Sequence, residues 1–283
     1  MNIPITLPIA NEIIQIVRKH LLELDGITDD IIDRHLQHYK QRHQELKSIM
    51  DVNKAILYSA RNKQRTSNII DNKYFDDLSL KLCDFNPNQI LKQYSNNPDE
   101  VFDAIAPNNA PRNNNSVWVQ FSKSVISTSR FLANYQDINH FLLFTCEYTN
   151  NPTTRIGLPL VLEKAIDGIA FTLACDFLKE NICSEYIKPD GHIVDFFKHT
   201  LMSKPECLVK DYPYHVFQCV IEFSDILKMV PYEIDKLFWL AGSGNFYLVP
   251  KRIPKRVIDI KKKELINKIK DILRSYFPNL YDD

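Results

Sequence analysis

Apolar residues along this chain recur at helical spacing and scarcely alternate as they would in strands. Ile13, Ile14, Ile16, Val17 and Leu21 make one apolar face, which predicts a helix over Ala10–Leu22 ended by Gly26. Thr28 or Asp29 then caps a long helix running to about Ala60. Its apolar positions Ile32, Leu36, Tyr39, Leu46 and Met50 lie in one narrow stripe, as in a helical hairpin arm. Shorter helices are expected near Tyr74, after Pro87, and from Asn97-Pro98-Asp99-Glu100. In that last opening a capping asparagine, a first-turn proline and two acids coincide.

The segment Pro107-Asn108-Asn109-Ala110-Pro111-Arg112-Asn113-Asn114-Asn115 reads as a loop, and it is the best domain boundary the pattern offers. It predicts an N-terminal helical region over 1–107 and a second region over 108–283. Beyond it Ser116 caps a helix through Val117, Trp118, Phe121, Val125 and Leu132, and Asp137 caps another through Phe141 and Phe144. Further helices are expected near Leu160–Ala165, Phe171–Lys179, Ile193–Thr200, Tyr214–Leu227, Pro231–Ala241 and Ile258–Arg274. A tight turn falls at Gly168. Gly242-Ser243-Gly244 lacks a phosphate-loop context and reads as a helix terminator.

Composition supports an all-α fold. The 283 residues are 45% hydrophobic, enough for a core, yet hold only 6 glycines, fewer than a β-sandwich, barrel or nucleotide-binding sheet normally spends on turns. The 35 basic and 35 acidic residues cancel, so any binding to nucleic acid must use a local patch. Ten of the basic residues fall in the tail from Lys251, among them Lys261, Lys262 and Lys263. Cys83, Cys146, Cys175, Cys183, Cys207 and Cys219 form no CxxC pair and read as reduced thiols of a cytoplasmic protein. No apolar run approaches a membrane span and no secretory signal is apparent. His35, His38 and His43 lie close in sequence, but a zinc site needs further ligands that the chain does not supply nearby, so no metal is expected.

Two segments carry a resemblance. One is Ile166-Asp167-Gly168-Ile169-Ala170-Phe171-Thr172-Leu173-Ala174. The other is Lys188-Pro189-Asp190-Gly191-His192-Ile193, and eighteen positions separate Thr172 from Asp190. Together they resemble the hairpin and the catalytic-aspartate segment of the helix-hairpin-helix DNA glycosylases, the superfamily of endonuclease III and the alkyladenine glycosylases. The run Val230–Leu240 is similar to a late helix of related enzymes. The resemblance spans roughly 110–245 and leaves the first hundred residues as an addition to a two-lobed helical fold.

The resemblance implies a DNA glycosylase acting on double-stranded DNA as a monomer, in repair or in defence against modified foreign DNA. Asp190 takes the catalytic position, where a carboxylate stabilises positive charge on the sugar and orients water. Its alternative role is to cap the following helix. Gly168, Ala170 and Thr172 take the hairpin positions that meet a DNA phosphate through backbone N–H groups. Ala170 stands where the family usually has a second glycine. Thr172 stands where bifunctional members carry an amine nucleophile, which implies base removal without strand nicking; Lys164 and Lys188 are the substitutes to consider. Asn113, Asn114 and Asn115 precede a helix where related enzymes place a loop that fills the vacated base stack. Trp118, Tyr212 and Trp239 are candidates to stack on a flipped base, and Lys261, Lys262 and Lys263 to contact phosphates. No cofactor is required by this reading; many members hold a monovalent cation on hairpin carbonyls. The four-cysteine cluster of iron–sulfur members has no counterpart, since no cysteine follows Cys219. Two other readings remain, a non-catalytic helix-hairpin-helix DNA-binding module and a helical scaffold.

Overall fold

The structure, a computed structural model, describes residues 4–42, 46–62, 69–200, 212–249 and 251–278. Among these, helices account for nearly all regular structure. The two strands, β1 (Asn245–Phe246) and β2 (Lys251–Arg252), pair antiparallel over two residues each. The all-α expectation is borne out. No described helix is long and apolar enough to cross a membrane.

The chain divides into two compact units, Met1–Gln41 with Ser184–Asp283, and Arg42–Cys183. The expected boundary at 107/108 is corrected: it falls inside the second unit. The reason is a shared core. Leu57, Phe75, Phe85, Val101, Phe102 and Ile105, from before that loop, pack with Trp118, Phe121, Val125 and Ile126 from beyond it. The asparagine-rich segment is a surface loop within one core.

The long helix expected over Thr28–Ala60 is likewise corrected. The structure has α1 (Leu7–Leu22), α2 (Asp29–Leu36), α3 (Tyr39–Arg42) and α4 (Ile49–Arg61). Ser48 starts α4 afresh: its backbone is extended and its Oγ accepts from Asp51 N at 3.2 Å. The expected stripe does not continue through α4: Met50 is exposed, and α4 buries a different set of residues. Ile32 and Leu36 are buried in the first unit, and Val52, Ile56 and Leu57 in the second.

In the second unit the chain continues through α5 (Asn72–Lys81), a 3₁₀ turn at Cys83–Phe85, α6 (Pro87–Gln93), α7 (Pro98–Ile105) and α8 (Val117–Leu132). It then runs through α9 (Ile138–Thr149), α10 (Gly157–Ala165) and α11 (Phe171–Asn181). Asp71, Asn86, Asn97 and Asp137 cap α5, α6, α7 and α9 through their side chains, each accepting a first-turn amide. The spine is α8, which touches α4, α6, α7 and α10.

The first unit adds α12 (Gly191–His199), α13 (Tyr212–Leu227), α14 (Pro231–Ser243) and α15 (Lys255–Tyr276) to α1 and α2. Its spine is α14, buried through Ile234, Leu237, Phe238, Leu240 and Ala241 and touching α1, α2, α12, α13 and α15. It ends at Gly244, in the left-handed region at φ 63°. A Cβ there would lie 2.4 Å from Ile258 Cγ1. The expected glycine terminator is therefore present, and it lets α15 turn in close behind α14.

His20 on α1 is buried, and its Nδ1 has no hydrogen-bond partner. Desolvation, helped by the nearby Lys268 ammonium, lowers its pKa to about 4. The unfolded chain, with His20 near 6.5, therefore binds a proton that the folded chain refuses. Stability should fall as pH drops from about 6.5 towards 4 and be fully present above that window. Melting temperatures across this range should drop for the unmodified chain and drop less for His20→Leu. Equal pH dependence in the two would show that His20 does not couple to folding.

Candidate functional site

Asp190 is the N-cap of α12, in extended backbone at φ −83° and ψ 177°. Its Oδ1 accepts both His192 N at 2.9 Å and Ile193 N at 3.3 Å. Both cap bonds fall on one oxygen, so Oδ2 stands outside the cap. A carboxylate held this way is fixed in orientation by the helix it starts and keeps an oxygen for other work.

The elements around it are packed closely. Gly242 on α14 lies against α12, where a Cβ would meet His192 Cβ at 3.0 Å and Phe196 Cε2 at 3.2 Å. The His192 ring stands edge-on to Trp239 at 6.5 Å, and Trp239 in turn to Tyr247 at 6.0 Å. Buried Lys236 places its ammonium 5.0–5.2 Å from the Tyr232, Trp239 and Tyr247 rings. Of the three aromatic candidates, the structure brings only half-buried Trp239 to the neighbourhood of His192, two residues from Asp190. Tyr212 is buried, with Lys198 Nζ 5.0 Å from its ring. Trp118 is corrected from stacking candidate to core residue: it is 5% exposed and packs edge-on to Tyr74.

In the second unit, Asp167–Ala170 form a tight turn between α10 and α11. Two serines of α8 fix it. Ser124 Oγ donates to Asp167 O at 2.6 Å, and Asp167 N donates to Ser127 Oγ at 2.9 Å. Gly168 follows at φ 81°, and a Cβ there would lie 2.7 Å from Ser124 Oγ. Ala170 sits at φ −83° and ψ 165°, where any residue fits, so this turn places no demand for a second glycine. The first amide of α11 is already engaged: Phe171 N donates to Glu163 Oε1 at 3.1 Å. Sequence reasoning missed Ser124, Ser127 and Glu163. Polar residues at 120, 124 and 127, at helical spacing on a largely apolar helix, were the signal for the first two; nothing local marked Glu163.

Asn113, Asn114 and Asn115 are exposed. Asn113 Oδ1 accepts from Asn115 N at 3.0 Å, an Asx turn ahead of α8, while Asn114 O accepts from Gln120 Nε2 at 3.0 Å. On α15, Lys261 pairs with Glu264 at 3.0 Å and Lys262 with Asp195 at 2.6 Å. Lys263 is exposed and has no ion pair among the described residues. Of the three histidines, His35 is committed to the fold rather than to a metal. His35 Nδ1 lies 2.7 Å from Ile31 O and His35 Nε2 accepts from Leu248 N at 3.2 Å, so both ring nitrogens are used within the fold. His43 lies outside the described residues. No cluster of three potential ligands occurs among the described residues.

Replacing Gly168 by alanine should destabilise the chain by about 1–3 kcal/mol, because the left-handed conformation and the Ser124 contact both penalise a Cβ. Ala170→Gly should cost less than about 1 kcal/mol, through unfolded-state entropy alone. Urea unfolding of the two variants checks the order; equal effects would mean that the turn does not impose the left-handed conformation.

No family model matches the chain, and no curated protein matches it in sequence. Two solved structures are similar to it. One is the 8-oxoguanine DNA glycosylase of Thermotoga maritima, with a TM-score of 0.50 and 11% identity over 84% of this chain and 99% of that one. The other is the Methanocaldococcus jannaschii 8-oxoguanine glycosylase/lyase in complex with DNA containing 8-oxoguanine, with a TM-score of 0.49 and 14% identity over 81% and 97%. At 11% identity the likeness to the Thermotoga maritima protein is one of fold alone: this chain shares its all-α architecture.

Proposed function

We propose that this chain is a monofunctional DNA glycosylase. It hydrolyses the N-glycosidic bond of a damaged or modified base in double-stranded DNA, works as a monomer, and leaves an intact abasic strand. The observation that carries the reading is Asp190. The sequence resemblance assigns it the catalytic position, and in the structure it caps its helix through Oδ1, with Oδ2 outside the cap. As the C–N bond breaks, its electrons leave with the base and positive charge develops on the sugar. A carboxylate beside that charge stabilises it. The same group orients the water whose oxygen bonds to the anomeric carbon, and takes up the proton the water releases. Trp239 is the aromatic surface offered to a base held out of the duplex.

The turn at Gly168–Thr172 serves DNA backbone rather than bases. Its glycine lets the chain reverse tightly against Ser124, and the first-turn amides of α11 beyond Phe171 are the groups offered to a phosphate. A monovalent cation beside the phosphate would have to share carbonyls. Asp167 O already accepts from Ser124, and Ile166 O from Ile169 N at 3.3 Å. Each keeps a second lone pair, so the residues accommodate a cation, and no step depends on it. Lys263 is the tail lysine best placed to add a phosphate contact. Repair and defence against modified DNA both fit this chemistry in a DNA-associated cytoplasmic protein.

One observation favours the second reading, a non-catalytic DNA-binding module: the described contacts of Asp190 are those of a helix cap. Excision measured over a panel of oxidised, alkylated and deaminated bases, with the free base identified by mass, separates the two. Asparagine caps as well as aspartate, so Asp190→Asn should keep stability and DNA binding while losing about 10²-fold or more in excision. Turnover unchanged in this variant would reduce Asp190 to its cap.

Thr172 offers a hydroxyl where an imine would need an amine. The product strand should therefore stay uncut until heat or alkali is added, and borohydride should trap no enzyme–DNA adduct. Efficient trapping would overturn the monofunctional reading and turn attention to Lys164 or Lys188.

A further inference from the structure

The asparagine loop and the hairpin turn are docked on one face of α8. At the start of the helix, Gln120 Nε2 donates to Asn114 O at 3.0 Å. One and two turns later Ser124 and Ser127 hold both backbone groups of Asp167. Gln120 borders both: its side chain reaches the loop, and its carbonyl lies 3.1 Å from Ser124 Oγ and would lie 3.9 Å from a Cβ on Gly168. Positions 120, 124 and 127 follow the helical repeat, so loop and turn share a stripe of the same helix.

Lys123 lies beside that stripe. It is half-buried, and its Nζ reaches Asn114 Oδ1 at 3.5 Å, a neutral amide oxygen. Among the described residues no carboxylate pairs with it. The contrast with α15 is direct, since Lys255, Lys261, Lys262 and Lys268 each have an acid partner. The Lys123 stem is half-buried while its ammonium stays exposed beside an amide oxygen, so the charge is fixed in place and left open to an incoming anion.

The opening of α11 cannot supply the missing attraction alone. Glu163 accepts from its first amide, so a carboxylate already offsets the positive end of that helix. A phosphate arriving at the turn would meet this negative charge, and a fixed cation nearby is what restores a net attraction.

We propose that Lys123 is a DNA-positioning residue whose counter-ion is a backbone phosphate, bound where the asparagine loop and the Gly168 turn meet on α8. The proposal rests on the DNA-binding part of the function proposed above and is independent of catalysis. Its contact is to phosphate, so it reads no base.

The test is binding of the full chain to a duplex carrying a tetrahydrofuran abasic-site analogue, which cannot be turned over, measured between 50 and 300 mM salt. Lys123→Gln keeps a donor for Asn114 and removes the charge. It should lower the salt slope by about 1 and weaken binding about fivefold to tenfold near 0.1 M salt. Lys123→Arg should keep the slope of the unmodified chain. Excision at saturating duplex should be unchanged in Lys123→Gln, whereas loss of turnover with binding intact would place Lys123 in the chemistry and overturn a positioning role. An unchanged slope with unchanged affinity would overturn the proposal while leaving the glycosylase reading standing. Absence of DNA binding by the unmodified chain would overturn both. A lowered slope in a chain that excises no base would support Lys123 and refute the enzyme.

Discussion

The hairpin geometry depends on two hydroxyls. Ser124 and Ser127 satisfy the C=O and N–H of a single residue, Asp167, from an adjacent helix. A turn between two helices has few backbone partners of its own, and unpaired polar groups at a helix junction are costly. Once Asp167 is pinned, the next residue must reverse the chain while passing within touching distance of Ser124. Only a residue without a Cβ does both, which accounts for Gly168. Ala170 is then free to be alanine, since the reversal is complete before it. A hairpin usually described by two glycines here needs one glycine and two serines, the serines contributed by a helix more than thirty residues upstream.

Much of this was legible in the sequence wherever the signal was local. Asn97, Asp137 and Asp190 each announce a helix start by side-chain chemistry alone, and each caps as read. Gly168 and Gly244 announce left-handed turns for the same reason. The failures share the opposite cause. An apolar stripe says that a face is buried but not in which core, so the residues on either side of 43–48 read as one helix although they serve two units. A loop rich in proline and asparagine says that the chain turns, not that a domain ends. Whether the helices beyond it join the same core is decided by Phe75, Phe85 and Phe121 meeting in space. Likewise a run of three lysines counts charge but not partners, and Asp195, which pairs with Lys262, lies 67 residues away.

Electrostatics on this chain is a matter of bookkeeping by location rather than by total. Formal charges cancel, and most described α15 lysines are neutralised by neighbours. What distinguishes one cation from another is its environment. Paired ammonium groups stabilise helix contacts modestly, since exposed ion pairs contribute about 0–1 kcal/mol. An ammonium held in place without a carboxylate, as in Lys123, is the more informative one. The same distinction applies to carboxylates: Glu163 is committed to a backbone amide, while Asp190 commits one oxygen and holds back the other.

The discontinuity of the first unit bears on how the protein is made. Its α1 carries the apolar face Ile9, Ile13, Val17 and Leu21, and the helices that bury this face, α13, α14 and α15, all come from the far end of the chain. The second unit, about 140 contiguous residues, is synthesised in between. At about 5–20 residues per second, the nascent N-terminal helices wait roughly ten to forty seconds for their partners. During that interval the second unit has all its own segments and can complete its core around α8. The order of assembly is therefore written into the connectivity: the inserted unit closes first, and the first unit closes only once α13, α14 and α15 have been made.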